Sequence, residues 1–352
     1  MPDLESRRVG ASGLLVSPVG LGCNNFGRAG TVTEDLDGTR AVLDAAIEAG
    51  VTFLDTADMY GKEPGLSETL MGEALRGRRD EVVIATKFGH AAIPSPWIGG
   101  SKGSRAHVRH AVEASLRRLQ TDWIDLYQVH RPEAGTDVEE TLSALTDLQR
   151  QGKIRAFGSS TFPAHEVVEA QWTAERRALG RFVTEQPPYS MLVRGIEKDL
   201  LPVTEKYGMG VLPWSPLAGG WLSGRYRKDL EIPTSHRRQR MAGRYDLSIP
   251  ANQAKLDAAD ALAGVAAKAG LTLVHMALAF TLAHPAVTAP IIGPRTLEHL
   301  DSQLGAVDVT LDADVLDAID EIVPPGVTLS QFDEGYVPPS LQEPFLRRRR
   351  TA

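Results

Sequence analysis

Short apolar runs, many of them β-branched or aromatic, alternate along the chain with longer stretches whose apolar residues recur every three or four positions. The first kind reads as buried strands and the second as helices with one apolar face. Val19–Cys23 is the first strand of the series. Helix Glu34–Ala49 then closes on Gly50 before strand Val51–Leu54, helix Ser67–Arg76 precedes strand Val82–Lys87, and helix Arg105–Leu119 precedes strand Trp123–His130. Helix Asp137–Gln151 closes on Gly152 ahead of strand Ile154–Gly158, and a helix after Pro163 leads to strand Phe182–Gln186. A helix near Glu197–Tyr207 ends on Gly208 before strand Gly210–Trp214, helices within Gln253–His284 precede strand Val287–Ile292, and helix Thr296–Leu304 follows. Glycine after a helix, with a short apolar run next, is the grammar of βα units.

Eight strand-then-helix units can close into a barrel or open into a doubly wound sheet. The barrel is favoured because the chemically suggestive residues follow many different strands, whereas an open sheet gathers them at one switch point. Nor is there a G-x-G-x-x-G: Gly20-Leu-Gly-Cys-Asn-Asn25 comes nearest and lacks the third glycine. The predicted fold is α/β, a (β/α)8 TIM barrel in one domain over residues 1–352. An N-terminal β-hairpin (9–16, turning at Ser12-Gly13) caps it, the barrel covers about 19–305, and helix Asp312–Ile322 opens a C-terminal extension (312–352). Three stretches exceed what a barrel needs: Ala91–Ser104, Gly219–Pro250 and Pro324–Ala352. Long loops on this side of a barrel are where substrate contacts collect.

Composition narrows the function. A net charge of -7 gives no general basic field for nucleic acid. The one cysteine, Cys23, permits no intramolecular disulfide and no cysteine-rich metal site. No apolar leader or membrane-length run stands out, so the expected compartment is the cytoplasm and no membrane partner is expected. The basic tail Leu346–Arg350 reads as a solvated segment.

Three consecutive strands deliver Asp55, Lys87 and His130 to their C-terminal ends, and Tyr60 follows Asp55 after a brief loop. A free phenol titrates near pH ~10. A neighbouring ammonium lowers that value towards the working range, so Tyr60 beside Lys87 can act as a general acid. Asp55 would hold Lys87 charged, and His130 would donate a hydrogen bond to an oxygen beside the phenol. Nothing here is a nucleophile with its own base, and no carboxylates pair as glycosidases require. Asp55, Asp58 and His130 as metal ligands would leave Tyr60 and Lys87 idle, so no metal is expected.

A polarised carbonyl needs an electron source, and the second half of the chain offers places to hold one. Ser160 and Thr161 after one strand, and Gln186 after the next, suit a carboxamide. Trp214 could stack on a flat heteroaromatic ring. Ile291-Ile-Gly-Pro-Arg-Thr296 opens a helix whose free N–H groups, with Arg295, suit a phosphate.

These motifs together resemble the aldo-keto reductase family over nearly the whole chain. The matching pieces are Gly20-Leu-Gly22 with Phe26-Gly27, Phe53-Leu-Asp-Thr-Ala-Asp-Met-Tyr-Gly61, Thr86-Lys87, Asp125-Leu-Tyr-Gln-Val-His130, Gly152-Lys-Ile-Arg155, Trp214-Ser-Pro-Leu-Ala-Gly-Gly220 and Ile292-Gly293. Within the family the chain is most similar to the bacterial and potassium-channel-β-like branch. The resemblance implies NADPH bound without a Rossmann domain, a catalytic tetrad of Asp55, Tyr60, Lys87 and His130, and a small aldehyde or ketone as substrate. It puts Gly22, Cys23, Asn24, Asp55, Ser160, Thr161, Gln186, Trp214, Ser215, Pro216, Leu217 and Gly219 along the cofactor. Arg225 matches a basic residue of the cofactor belt in the channel-β-like branch.

The chain departs from the family pattern at several of these positions. Thr161 stands where an asparagine is common, Gly293 replaces a lysine of the 2′-phosphate clamp, and Arg295 becomes the candidate cation. His299 stands where arginine or, in other branches, glutamine is usual, and Gln303 stands where the family has an adenine-contacting asparagine. The alternative is a cofactor-binding sensor or partner subunit with slow turnover, and a third is a barrel isomerase or lyase without redox chemistry. Homo-oligomerisation stays open.

Overall fold

A computed structural model describes residues 4–93, 96, 100–231, 238–239 and 241–348. Trp97 and Gly99 of the first long loop, His236 of the second, and Arg349 and Arg350 of the basic tail lie outside the described residues. A hairpin of β1 (Arg7–Arg8) and β2 (Leu15–Val16) comes first, with Arg7 opposite Val16. Its pairing lies just outside the predicted turn, because Val9 bends inward and its carbonyl accepts from Ser12 Oγ at 2.6 Å. Eight parallel strands follow: β3 (Gly20–Gly22), β4 (Phe53–Asp55), β5 (Val83–Phe88), β6 (Ile124–Val129), β7 (Ile154–Ser160), β8 (Thr184–Gln186), β9 (Gly210–Val211) and β10 (Ile291–Ile292). β10 pairs with β3, and bridges Val211–Val287 and Trp214–Ile291 join the β9 and β10 segments, so the sheet closes into the (β/α)8 barrel. The last two strands are shorter than their apolar runs because Pro213 and Pro290 have no N–H to give to a ladder.

The helices on the outside are α1 (Leu36–Glu48), α2 (Leu66–Ala74), α3 (Arg105–Leu119), α4 (Val138–Arg150), α5 (Ala164–Arg177), α6 (Leu200–Tyr207), α7 (Pro250–Lys268), α8 (Leu273–Ala283), α9 (Leu297–Leu304) and α10 (Ala313–Ile322). Asp35, Ser104, Asp137, Thr272, Thr296 and Asp312 cap six of them by accepting a backbone N–H of the first turn. Among the described residues no single helix is long and apolar enough to cross a membrane.

Alternation along the strands decides which side chains fill the barrel. Phe53, Ala85, Leu126, Ala156, Leu212 and Ile291 point inward and pack with Val9 and Val16 of the hairpin. Large and small residues complement each other here: a Cβ on Gly20 would lie 2.3 Å from the Phe53 ring. The hairpin plugs the N-terminal end of the barrel. Gly10 there adopts φ +53°, and a Cβ on it would meet Val183 O at 2.2 Å and Gly210 N at 2.6 Å. Asp125, part of the motif ending in His130, is structural. It accepts from Arg79 (2.6 Å), Arg155 (2.8 Å), the Ile84 N–H (2.9 Å) and the Trp123 indole (3.2 Å).

Candidate active site

The C-terminal ends of the strands open into a cavity of about 880 Å³. The same alternation that fills the barrel delivers residues to its floor. Asp55 is two positions beyond Phe53, Lys87 two beyond Ala85, and Trp214 two beyond Leu212; His130 is four beyond Leu126 and Ser160 four beyond Ala156. Each therefore shares the inward face of its strand, one layer or two above the packed core.

Lys87 is fully buried. Its Nζ donates to Asp55 Oδ2 at 2.7 Å, to Thr56 O at 2.7 Å and to Tyr60 OH at 3.4 Å. Burial by itself would push the ammonium down, yet the carboxylate of Asp55 and the phenol of Tyr60 outweigh it and hold the Lys87 pKa above its ordinary value. The other Asp55 oxygen accepts from Gln186 Nε2 at 2.8 Å. The His130 and Tyr60 rings meet edge to face at 5.9 Å. Burial, then the positive charges of Lys87 and Arg131, drive the His130 pKa well below its usual range. His130 is therefore a neutral imidazole, able to donate one N–H to an oxygen beside the phenol. A charged lysine behind a phenol and a neutral histidine beside it form an arrangement that can polarise a carbonyl and protonate its oxygen.

Asp55, Tyr60, His130, Gly22, Asn24, Ser160, Gln186 and Trp214 line the cavity, as do Ser215, Pro216, Leu217, Gly219, Arg225, Gly293, Arg295, His299 and Gln303. Lys87 lies beneath this surface. Cys23 and Thr161 do not line it. Cys23 is fully buried in the outer core, where burial and then the Asp55 charge push its thiol well up, and its carbonyl accepts from Ser67 Oγ at 2.9 Å. Thr161 has φ +58°, a left-handed conformation unusual for a β-branched residue. Its hydroxyl turns away to accept from Arg131 Nη1 at 2.7 Å. Gln186, matched above to a carboxamide, has its amide nitrogen engaged by Asp55.

The cavity's second half runs from the segment after β9 to the start of α9. Ser215, Ala218, Gly219 and Gly220 all take positive φ, of 58°, 48°, 72° and 106°. At Ser215 and Ala218 this conformation is strained, and strained backbone gathers where loops are shaped around ligands. At the far end, the His299 imidazole is pushed down by burial and by Arg225, with Arg295 adding to the effect, so both guanidiniums act on one region. A Cβ on Gly293 would meet nothing within 4 Å. A flat indole beside the tetrad, an unobstructed run of backbone and two arginines at the distal end fit a nicotinamide dinucleotide.

Sequence reasoning missed Arg131, His90, Arg28, Arg244 and Asp333, all of which line the cavity. Arg131 was within reach, since it immediately follows His130 at the same strand end. Asp333 was not: it returns from the C-terminal extension, and its carboxylate accepts from Arg244 Nε at 2.8 Å and from Lys255 Nζ at 2.8 Å. None of the described residues of loop 91–104 lines the cavity. Ser101 and the Gly103 N–H turn instead to Glu133, each at 3.0 Å.

Residues 18–324 match the family model described as "Aldo/keto reductase family". The chain belongs to the aldo/keto reductase family, whose members are oxidoreductases acting on small carbonyl compounds and generally use nicotinamide cofactors. Three relatives illustrate its range. An "Uncharacterized oxidoreductase YrpG" of Bacillus subtilis is 39% identical, covering 91% of this chain and 96% of its own length. A "Probable voltage-gated potassium channel subunit beta" of Arabidopsis thaliana is 33% identical, with 91% and 97% covered. A "Versiconal hemiacetal acetate reductase" of Aspergillus parasiticus is 32% identical, with 90% and 96% covered.

Proposed function

We propose that this protein reduces aldehydes or ketones to alcohols with NADPH, using Tyr60 as the general acid. The observation that carries the reading is the buried ammonium of Lys87, bonded at once to Asp55 and Tyr60. The chemistry that NADPH supplies when bound is hydride donation to the carbonyl carbon. Tyr60 OH gives its proton to the carbonyl oxygen, and Lys87 stabilises the phenolate that is left. Neutral His130 offers an N–H to the same oxygen and orients it. Trp214 would stack on the nicotinamide ring, Ser160 would hold the carboxamide, and Arg225 and Arg295 would hold the phosphates; all four line the cavity. Stacking and charge-assisted bonds of this kind supply both affinity and orientation.

The sensor reading has less behind it. Relatives are named as channel β subunits, but the bonds of Lys87 to Asp55 and Tyr60 favour turnover, and the match to a reductase family spans most of the chain. The experiment is a steady-state assay with NADPH and a panel of aldehydes, alongside titration of the cofactor by fluorescence. Tyr60→Phe should bind NADPH normally and lose turnover by on the order of 10²–10⁴. Turnover at the wild-type rate in that variant would end the assignment of Tyr60. Tight cofactor binding with negligible oxidation by any aldehyde would revive the sensor.

A further inference from the structure

The site holds a cation that the tetrad does not use. Arg131 leaves β6 directly after His130 and lines the cavity. Its Nη1 donates to His130 O and to Thr161 Oγ1, both at 2.7 Å, and both acceptors are neutral. Nε and Nη2 find no acceptor among the described residues, and Arg131 forms no ion pair there. The groups that favour its charge are the Tyr60 phenol and, after it, Glu185, the one carboxyl of the two, which is fully buried with its oxygens taken by Ser159 Oγ and the Phe162 N–H. Burial raises the Glu185 pKa to about 8, so at neutral pH that residue carries mostly a proton and does not cancel the arginine.

An uncompensated guanidinium in a recess is costly, and burial already pulls the Arg131 pKa down. A fold keeps such a group most readily where a ligand completes it. The location says which ligand. Arg131 bears on Tyr60, His130 and His90 at the carbonyl end of the cavity. Arg225 and Arg295 serve the opposite end. His90 cannot add charge: burial, then Arg131 and Lys102, push its pKa down to about 4. Arg28 adds to the positive field from the same cavity; among the described residues its side chain bonds only to Asn24. A guanidinium whose Nε–Nη2 edge is free matches the paired oxygens of a carboxylate or phosphate.

We propose that Arg131 is a specificity-determining residue: the carbonyl substrates this protein prefers carry a carboxylate or a phosphate monoester, which Arg131 binds beside the reacting centre. This rests on the reductase reading. The alternative is that Arg131 only braces Thr161 in its left-handed conformation.

Two matched pairs of substrates separate these with NADPH as reductant: 4-carboxybenzaldehyde against methyl 4-formylbenzoate, and glyceraldehyde 3-phosphate against glyceraldehyde. Wild type should favour the charged member of at least one pair in kcat/KM, and the pair that responds identifies the anion. In Arg131→Gln, which keeps donors for Thr161 and His130 O but no charge, that charged-to-neutral ratio should fall about 10- to 100-fold, chiefly through KM. Arg131→Lys should recover part of it. A ratio unchanged by Arg131→Gln, with both members slowed alike, would assign the residue to bracing and overturn the proposal. So would a wild type that favours neither charged aldehyde. Calorimetric titration of 4-carboxybenzaldehyde into NADP+-saturated protein reads the subsite without turnover. Affinity that depends on Arg131 there, with no reduction of any aldehyde by wild type, would sink the reductase reading and leave the anion site standing.

Discussion

Replacing Lys87 by methionine keeps the length and volume of the side chain and removes only its charge and its donors. Asp55 is then stranded: it is 3% exposed and, among the described residues, keeps a single side-chain partner, Gln186. Breaking a buried pair from one side costs about 3–5 kcal/mol, against ~0–1 for an exposed pair. The variant has one escape, which is to protonate the stranded carboxylate. At 1.36 kcal/mol per pH unit, an ordinary aspartate near 3.9 makes that cost about 4 kcal/mol at pH 7 and about 1.5 at pH 5. The two routes agree on magnitude, and the second adds a pH dependence. Urea unfolding should therefore show Lys87→Met destabilised by roughly 3–5 kcal/mol at pH 7 and by clearly less at pH 5. Asp55→Asn combined with Lys87→Met should recover part of the loss, because no charge is then stranded. The assay is a double-mutant cycle at both pH values. Loss below ~1 kcal/mol at pH 7, or single-variant costs that simply add, would refute a coupled buried pair and with it the account of what holds Lys87 against Tyr60.

Other outcomes follow from the same geometry. Asp58 is held protonated up to about pH 7, by burial first and then by Glu68. Its contribution to stability is full below about pH 4 and is lost as pH rises to about 7, since the unfolded chain ionises first. Asp58→Asn should thus gain on wild type across that window, by at most ~4 kcal/mol, with the gap constant above it; a flat difference from pH 4 to 8 would contradict this. Asp333→Asn weakens the anchor that ties the C-terminal extension to Arg244 and Lys255 over the cavity, so NADPH should dissociate roughly 10-fold faster in stopped flow. An unchanged rate would mean the extension does not retain the cofactor. Arg295→Ala should weaken NADPH by about 10- to 150-fold and leave NADH nearly untouched. Equal losses would assign Arg295 to the pyrophosphate or to structure, and Arg225→Ala is the parallel test.

Much of this protein is legible one residue at a time. Eight apolar runs separated by helical periodicity dictate a parallel sheet, since parallel neighbours need a crossover between them. Period-two alternation then commits Asp55, Lys87, His130 and Trp214 to the inward face once Phe53, Ala85, Leu126 and Leu212 fill the barrel. That logic is local, so sequence carries it. Cys23 escaped it because the chain turns into a 3-10 helix at that residue, where strand alternation no longer tells which side chains meet the cavity. Thr161 escaped it because its left-handed φ swings the hydroxyl to Arg131, a partner 30 residues away in the chain. Asp333 and Gly335 come back over the site from the C-terminal extension, and a Cβ on Gly335 would lie 2.6 Å from Thr161 and 2.9 Å from Trp214. Nothing in the hydrophobic pattern of a loop says where it returns. The sequence alone determined the barrel and the four residues at its strand ends, because strand direction and alternation are properties of neighbours. Only the tertiary structure decided what closes over them and which charges go unpaired, because those depend on contacts between residues the chain holds far apart.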